Sequence, residues 1–213
     1  MKEYHKIQTA YLRNPEDNYK TLLMGVWAKQ EFELLKDTPW TCTEKIDGTN
    51  IRVMFDGENV RFGGKTDNAQ LPPILIEVLR DTFTNEKMKE CFIDTDNVCL
   101  YGEGYGKKIQ KGGNYLPDRA DFILFDVKID NWWLTREANE DIAKKLNIKV
   151  VPIVGIWGLE QAIEYVKSGF KSTIAHNEEY IAEGLVMKPK VELFNRSGER
   201  VITKIKHKDF IAR

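Results

Sequence analysis

The chain has 213 residues, 42% hydrophobic and 31% charged, with a formal net charge of −1. That length supplies one substantial core or two small ones, and the balanced charge excludes wholesale nucleic-acid coating, so any basic surface must be local. Cys42, Cys91 and Cys99 lack zinc spacing and read as buried thiols of a reducing compartment; with no membrane-length apolar run and no secretory pattern at the start, a cytoplasmic protein is expected.

In chain order, Asn14-Pro15-Glu16-Asp17 reads as a helix start, with Asn as cap, Pro in the first turn and acids at the positive dipole end, followed by an apolar stripe of Leu22, Leu23, Val26 and Trp27. Residues 41–47, 50–56 and 59–63 read as strands, the last two joined at Asp56-Gly57, a hairpin signal. Pro72 to about Cys91 reads as one helix, and 98–102 and 121–128 as buried strands, with Trp132-Trp133-Leu134 returning as a hairpin that packs on the core. Thr135 caps a helix running to Leu146, and Val150 to Val154 is a strand. Leu159, Ala162, Ile163 and Val166 define a helix ended by Gly169, and strands at 182–188 and 200–206 follow. Strands dominate both ends with helices between them, which predicts an α+β fold of mainly antiparallel sheets.

The chemistry concentrates in five ordered elements: Glu44-Lys45-Ile46-Asp47-Gly48-Thr49-Asn50, Tyr-Gly-Glu-Gly at 101–104, Phe-Ile-Leu-Phe-Asp-Val at 122–127, Glu-Gly-Leu-Val-Met-Lys at 183–188 and Lys-Ile-Lys at 204–206. Lys-x-Asp-Gly alone is a weak signal; the order of all five gives it weight. Taken singly, Lys45 is a surface lysine, Asp47 a turn former before Gly48, Glu103 a loop acid, Phe125 a core aromatic and Lys204 with Lys206 a solvated basic strand. Lys204 and Lys206, two residues apart, share a strand face, where like charges are costly unless an anion lies between them. Glu183 and Lys188 differ by an odd number, so a bulge or twist is required if both reach one site. Phe122 faces away from Phe125 and belongs to the core.

This series resembles the covalent nucleotidyltransferases: ATP-dependent DNA and RNA ligases and mRNA capping enzymes. It is most similar to the phage-type RNA ligases that seal nicks in duplex RNA, and the likeness runs from about residue 40 to 206. Asn50 favours that branch, because DNA ligases usually carry Arg five residues after the lysine. The resemblance implies the ligase nucleotidyltransferase fold (ATP-grasp-like), two twisted sheets flanking a nucleotide cleft with outer helices. It also implies covalent AMP on Lys45, formed from ATP with Mg²⁺ or Mn²⁺, passed to an RNA 5′-phosphate and displaced by a 3′-OH.

By that likeness Lys45, Asp47, Lys204 and Lys206 are catalytic. Glu44, Ile46, Asn50, Lys65, Glu103, Phe125, Glu183 and Lys188 bind the nucleotide, with Asn50 serving the phosphate or 3′-OH end, Glu103 accepting from the ribose hydroxyls and Phe125 stacking on the base. Asp47 orients the lysine or, with Glu183, holds the metal. Relatives often carry an arginine in the stretch Arg61-Phe62-Gly63-Gly64-Lys65-Thr66; Lys65 is the preferred substitute here, with Arg52 and Arg61 as alternatives, and a lysine lacks the bidentate fork. A free lysine, with pKa near ~10.4, is almost wholly protonated at neutral pH, so nucleophilic attack needs neighbouring cations or desolvation to favour the neutral amine.

From 187 to 213 eight basic side chains, Arg213 included, face three acids, which fits a phosphate cleft continuing onto an RNA-binding rim. His5, His176 and His207 have no ligand spacing. The expected organisation is a single catalytic domain, 1–213, without the C-terminal domain that many relatives use to grip nucleic acid. The expected partners are RNA as a nicked duplex or paired ends and no membrane, with the chain monomeric and a protein partner the source of any extra RNA-binding surface. The rival readings are a DNA ligase, a capping-type guanylyltransferase and a nucleotide- or RNA-end-binding module without turnover.

Overall fold

The computed structural model describes residues 3–211. In chain order the elements are β1 (Gln8–Thr9), β2 (Tyr11–Arg13), β3 (Leu22–Trp27), α1 (Gln30–Leu34), β4 (Trp40–Glu44), β5 (Thr49–Phe55), β6 (Val60–Gly63), α2 (Pro73–Thr82), α3 (Asn85–Cys91), β7 (Val98–Gly106), β8 (Ala120–Ile129), β9 (Trp132–Trp133), α4 (Arg136–Leu146), β10 (Lys149–Val150), β11 (Ile153–Trp157), α5 (Leu159–Ser168), β12 (Gly184–Pro189) and β13 (Thr203–Lys206). The fold is α+β, and its sheets are mainly antiparallel; β1–β13 and β8–β10 pair in parallel. No helix among the described residues is long and apolar enough to cross a membrane.

Two compact units divide the chain. The first takes the residues up to His5, Ile46–Val151 and Ile174–Asn177. Its sheet runs β10-β8-β7-β5-β6, with β9 paired to β8. Alternation along the strands puts Ile51, Val53, Phe55, Leu100, Phe122 and Leu124 in one core with Leu75, Leu79, Met88 and Ile142 of α2, α3 and α4. The β5–β6 hairpin turns at Asp56-Gly57, where Gly57 takes φ 91° and the Asp56 carboxylate accepts from the amides of Glu58 and Asn59.

The second unit takes Lys6–Lys45, Pro152–Thr173 and the chain from Glu178 on. Its sheet runs β1-β13-β12-β4-β11. Trp40, Cys42, Leu185, Met187 and Ile205 form its core with Leu159, Ala162, Ile163 and Val166 of α5. The β2–β3 hairpin belongs to this unit.

Three expectations change. Residues after Asn14 form no helix: Asn14 does accept from the Glu16 amide, but Pro15–Asp17 is a single 3₁₀ turn and 22–27 is a strand. The Asp17 carboxylate takes the amides of Lys20 and Thr21, Asn18 and Tyr19 turn left-handed, and Gly25 at φ 79° is incompatible with a continuing helix. The helix foreseen over 72–91 is two, because the chain leaves helical geometry at Phe83 and Thr84 caps α3 by accepting from the Lys87 amide. The strand foreseen over 150–154 is also two. Pro152 cannot donate to a ladder, and β10 and β11 join different sheets on either side of it.

Candidate active site

The second unit carries the lysines. β4 ends at Glu44, and the Lys45 amide donates to the Gly184 carbonyl at 2.9 Å, extending the β4–β12 pairing by one residue. Lys45 Nζ then meets Glu183 Oε2 at 2.5 Å, and Lys206 Nζ meets Glu183 Oε1 at 2.6 Å. One carboxylate is thus held by two ammonium groups, one per oxygen, with the Glu183 side chain only 13% exposed. Burial works to raise the Glu183 carboxyl, but the charges and hydrogen bonds of Lys45 and Lys206 outweigh it and hold the group below the usual carboxylate range.

Local backbone explains how an odd spacing is reconciled. Glu183 precedes β12, and Gly184 takes φ 152° with its Cα so close to β13 that a Cβ would lie 2.0 Å from the Ile205 carbonyl oxygen. Regular alternation starts only at that glycine. Lys188 and Val186 face the side where Lys204 and Lys206 stand, since Val186 lies opposite Lys204. The shared face expected for Lys204 and Lys206 is therefore present, with Thr203 and Ile205 buried on the other.

Glu44 is committed elsewhere. It is 1% exposed, and its carboxylate accepts from Ser172 Oγ at 2.5 Å and from the Thr173 amide and hydroxyl at 3.0 and 2.9 Å. Its evident work is to pin the 172–173 loop to the strand that presents Lys45, a function that no sequence spacing announces.

The first unit carries the remaining residues. Asn50 on β5 lies directly opposite Glu103 on β7, on the face away from α2 and α4. The Asn50 Oδ1 is buried with no hydrogen-bond partner, an acceptor that costs free energy until something donates to it. Ile46 is buried and Asp47 half-buried, the Asp47 amide donating to the Tyr115 hydroxyl at 3.3 Å. Gly48 is required by the protein itself: a Cβ there would sit 2.3 Å from the Gly104 carbonyl oxygen. Its freedom serves packing of the strand turn on β7, whatever ligand approaches.

Phe125 falls where the β7–β8 register slips between Tyr101 and Gly102, so it is the extra residue of a bulge. Phe122, three residues earlier, is core, edge-on to Phe83. Tyr4 stands edge-on to Phe125 at 5.0 Å and packs on Tyr101 and Trp133, while its hydroxyl donates to the buried Asp126 at 2.5 Å. Trp133 packs on this cluster with Lys128 over its ring, whereas Trp132 is exposed, so only one of the two tryptophans packs as expected. The tie from Tyr4 to Asp126 spans 122 residues, too far for any local pattern to announce it.

Lys65 is exposed in the loop after β6. Of the alternatives, Arg61 pairs with Asp56 at the hairpin, and Arg52 is fully buried, donating to the Gly64 carbonyl at 2.9 Å and to Asp67 at 2.6 Å. Arg52 thus anchors the loop that carries Lys65. Arg213, counted in the basic stretch, lies outside the described residues.

The described residues contain no cluster of three or more His, Cys, Asp or Glu side chains suited to hold a metal. Glu183, ionised and mostly buried, fits the mode in which a hard cation takes one or two carboxylates and fills its shell with water and substrate phosphates.

The sequence model of the RNA ligase family matches residues 38–206, well over half of the chain. The chain belongs to the RNA ligase family. Solved structures of Naegleria gruberi RNA ligase share its fold: an apo mutant (TM-score 0.65, 22% identity, 84% of this chain and 52% of that one), a mutant with ATP and Mn (0.64, 22%, 83% and 52%) and a form with PPi (0.65, 22%, 84% and 52%). This RNA ligase family member spans about half the length of those solved chains. The Lys45–Glu183–Lys206 clamp lies within the matched stretch, whereas Tyr4 and the β2–β3 hairpin precede it.

Proposed function

We propose that this protein is an ATP-dependent RNA ligase of the duplex-sealing, phage-like branch, acting through a covalent lysyl-AMP. The observation that carries the reading is the Glu183 clamp, which brings the family's lysine and a second lysine from the far end of the chain onto one carboxylate. In the first step the Lys45 amine, having given up a proton, attacks the α-phosphorus of ATP. A P–N bond forms, the bond to the β-phosphate oxygen breaks, and pyrophosphate leaves. Lys188, Lys204 and Lys206, on one sheet face, stabilise negative charge on the phosphates. AMP then passes to an RNA 5′-phosphate, and a 3′-OH displaces it as the strands join.

Asn50 and Glu103, opposite one another on β5 and β7, supply a buried acceptor and a carboxylate for hydroxyls of the nucleotide or of the RNA end. Phe125 offers a ring to the base. Glu183 would hold Mg²⁺ or Mn²⁺, whose contribution is to neutralise charge developing on the phosphates. Glu44 acts on the nucleotide only through the backbone it fixes beside Lys45.

Incubation with labelled ATP, GTP or NAD⁺ and a divalent cation tests the reading. Labelling by ATP alone, released on adding 5′-phosphorylated nicked RNA, is expected. Labelling by GTP would move the protein to the capping enzymes, and labelling by none would leave a binding module.

A further inference from the structure

The 14–21 segment, whose pattern predicts a helix start, instead forms a turn that comes to the lysine strand. Arg13, at the end of β2, makes two 3.0 Å hydrogen bonds to the Asp209 carboxylate and donates to the carbonyls of Tyr19 and Lys20. That ion pair ties the turn to the segment following β13. Asn14 closes the turn at both ends, its amide donating to the Thr21 carbonyl and its carbonyl accepting from the Tyr19 amide, while Asp17 is occupied by the Lys20 and Thr21 amides. Two consecutive left-handed residues, Asn18 and Tyr19, are held in place by these bonds, and such conformations persist only where the surroundings fix them.

The result is an open cleft of about 340 Å³ in the second unit. Lys20, Lys204, Lys206 and Lys208 line it with Arg13 and Tyr19, and the one carboxylate in the lining, Asp209, is bound by Arg13. Lys204 and Lys206 stand ~6.6 Å apart at strand spacing, comparable to successive phosphates of a nucleic-acid strand, and Lys208 lies in the 3₁₀ turn that follows β13. Tyr19 is 62% exposed beside them. The turn precedes residue 38 and Lys208 follows residue 206, so of the lining residues only Lys204 and Lys206 fall within the stretch matched to the RNA ligase family.

We propose that this cleft is a track for single-stranded RNA, with backbone phosphates on Lys20, Lys204 and Lys208 and one unpaired base stacked on Tyr19. The choice of a polynucleotide over a small anion rests on three features. The cleft is open, several cations line it with two of them on one strand face, and an exposed aromatic ring adjoins them, the combination that binds single strands through electrostatics and stacking. The inference builds on the ligase reading: Lys206 both lines the cleft and holds Glu183 beside Lys45, so a strand in the track ends at the reacting amine.

The test follows fluorescence anisotropy of a labelled, 5′-phosphorylated single-stranded RNA from low to moderate salt, with self-adenylylation by ATP measured on the same samples. Lys20→Ala and Lys208→Ala should each weaken binding several-fold at low salt and reduce the slope of log Kd against log salt by about 0.7. Tyr19→Ala should weaken binding by roughly tenfold with the slope unchanged, and Tyr19→Phe should restore it. All four should keep the wild-type melting temperature and adenylylation rate. Wild-type affinity and slope in both lysine variants would overturn the proposal, as would failure of the wild-type protein to bind the RNA. If added pyrophosphate inhibits adenylylation of the wild type but not of the lysine variants, and those variants keep full RNA affinity, the cleft is a small-anion site and the proposal is overturned equally. An unlabelled wild-type protein whose RNA binding still follows the variants would instead remove the ligase reading and leave the track standing.

Discussion

The two units of this protein present opposite kinds of side-chain chemistry. The second presents a carboxylate between two ammonium groups and a strand face lined with lysines. The first presents a buried amide oxygen, a carboxylate between two glycines, and a bulged phenylalanine set in a cluster of rings. Charge in the second unit is strong and long-ranged but depends on salt and pH. Packing and neutral hydrogen bonds in the first depend on geometry and hardly on salt.

The largest effect that bears on this contrast is expected from Lys45→Ala. Intact mass after incubation with ATP and divalent cation should show the added mass of AMP in the wild type and none in the variant. A wild-type level of adduct would show that the clamp is structural only. Next, Lys204→Ala should slow adenylylation by about a hundredfold with the melting temperature nearly unchanged, since the side chain is half-exposed on a strand face. Equal loss of rate and of stability would erase the distinction between the units.

In the first unit the order should reverse. Tyr4→Phe removes one hydrogen bond to the buried Asp126 and should cost about 1–2 kcal/mol, a melting shift of a few degrees, equal at low and high salt. A salt-dependent loss would mean that charge, not packing, holds the ring cluster together. The smallest effect is a matter of pH. Because the Glu183 carboxyl is held below its ordinary range, its pairing with Lys45 and Lys206 stabilises the fold fully above the unfolded-state pKa. That contribution is lost as pH falls through the lowered folded-state value. Glu183→Gln should therefore lower the melting temperature at neutral pH and flatten its acid limb, so that variant and wild type converge as pH falls.

The parts of this architecture legible in sequence are those fixed locally. Asp56-Gly57 announces its hairpin because the turn needs a positive φ and an acceptor for two amides, and Thr135 announces α4 because its hydroxyl caps the Ala138 amide. Lys204 and Lys206 share a face because a strand alternates. What stays hidden is set by partners far along the chain. The apolar spacing after Asn14 suits a helix, yet Asp17, Arg13 and Asp209 settle it as a turn and a strand, and one of those ties spans 196 residues. The commitment of Glu44 to Ser172 and Thr173 and the approach of Tyr4 to Asp126 are hidden for the same reason.

The pairing of β1 with β13 joins Gln8–Thr9 to Thr203–Lys204 across nearly the whole chain. During synthesis the sheet of the first unit, drawn from residues 49–150, is complete in sequence long before β13 exists. The sheet of the second unit must wait for its last strand, leaving β1 and β12 with open edges meanwhile. Glu183 meets Lys206 only at that final closure, so the ammonium pair is the last part of the machinery to be assembled, and a stalled nascent chain carries Lys45 without the cation opposite it.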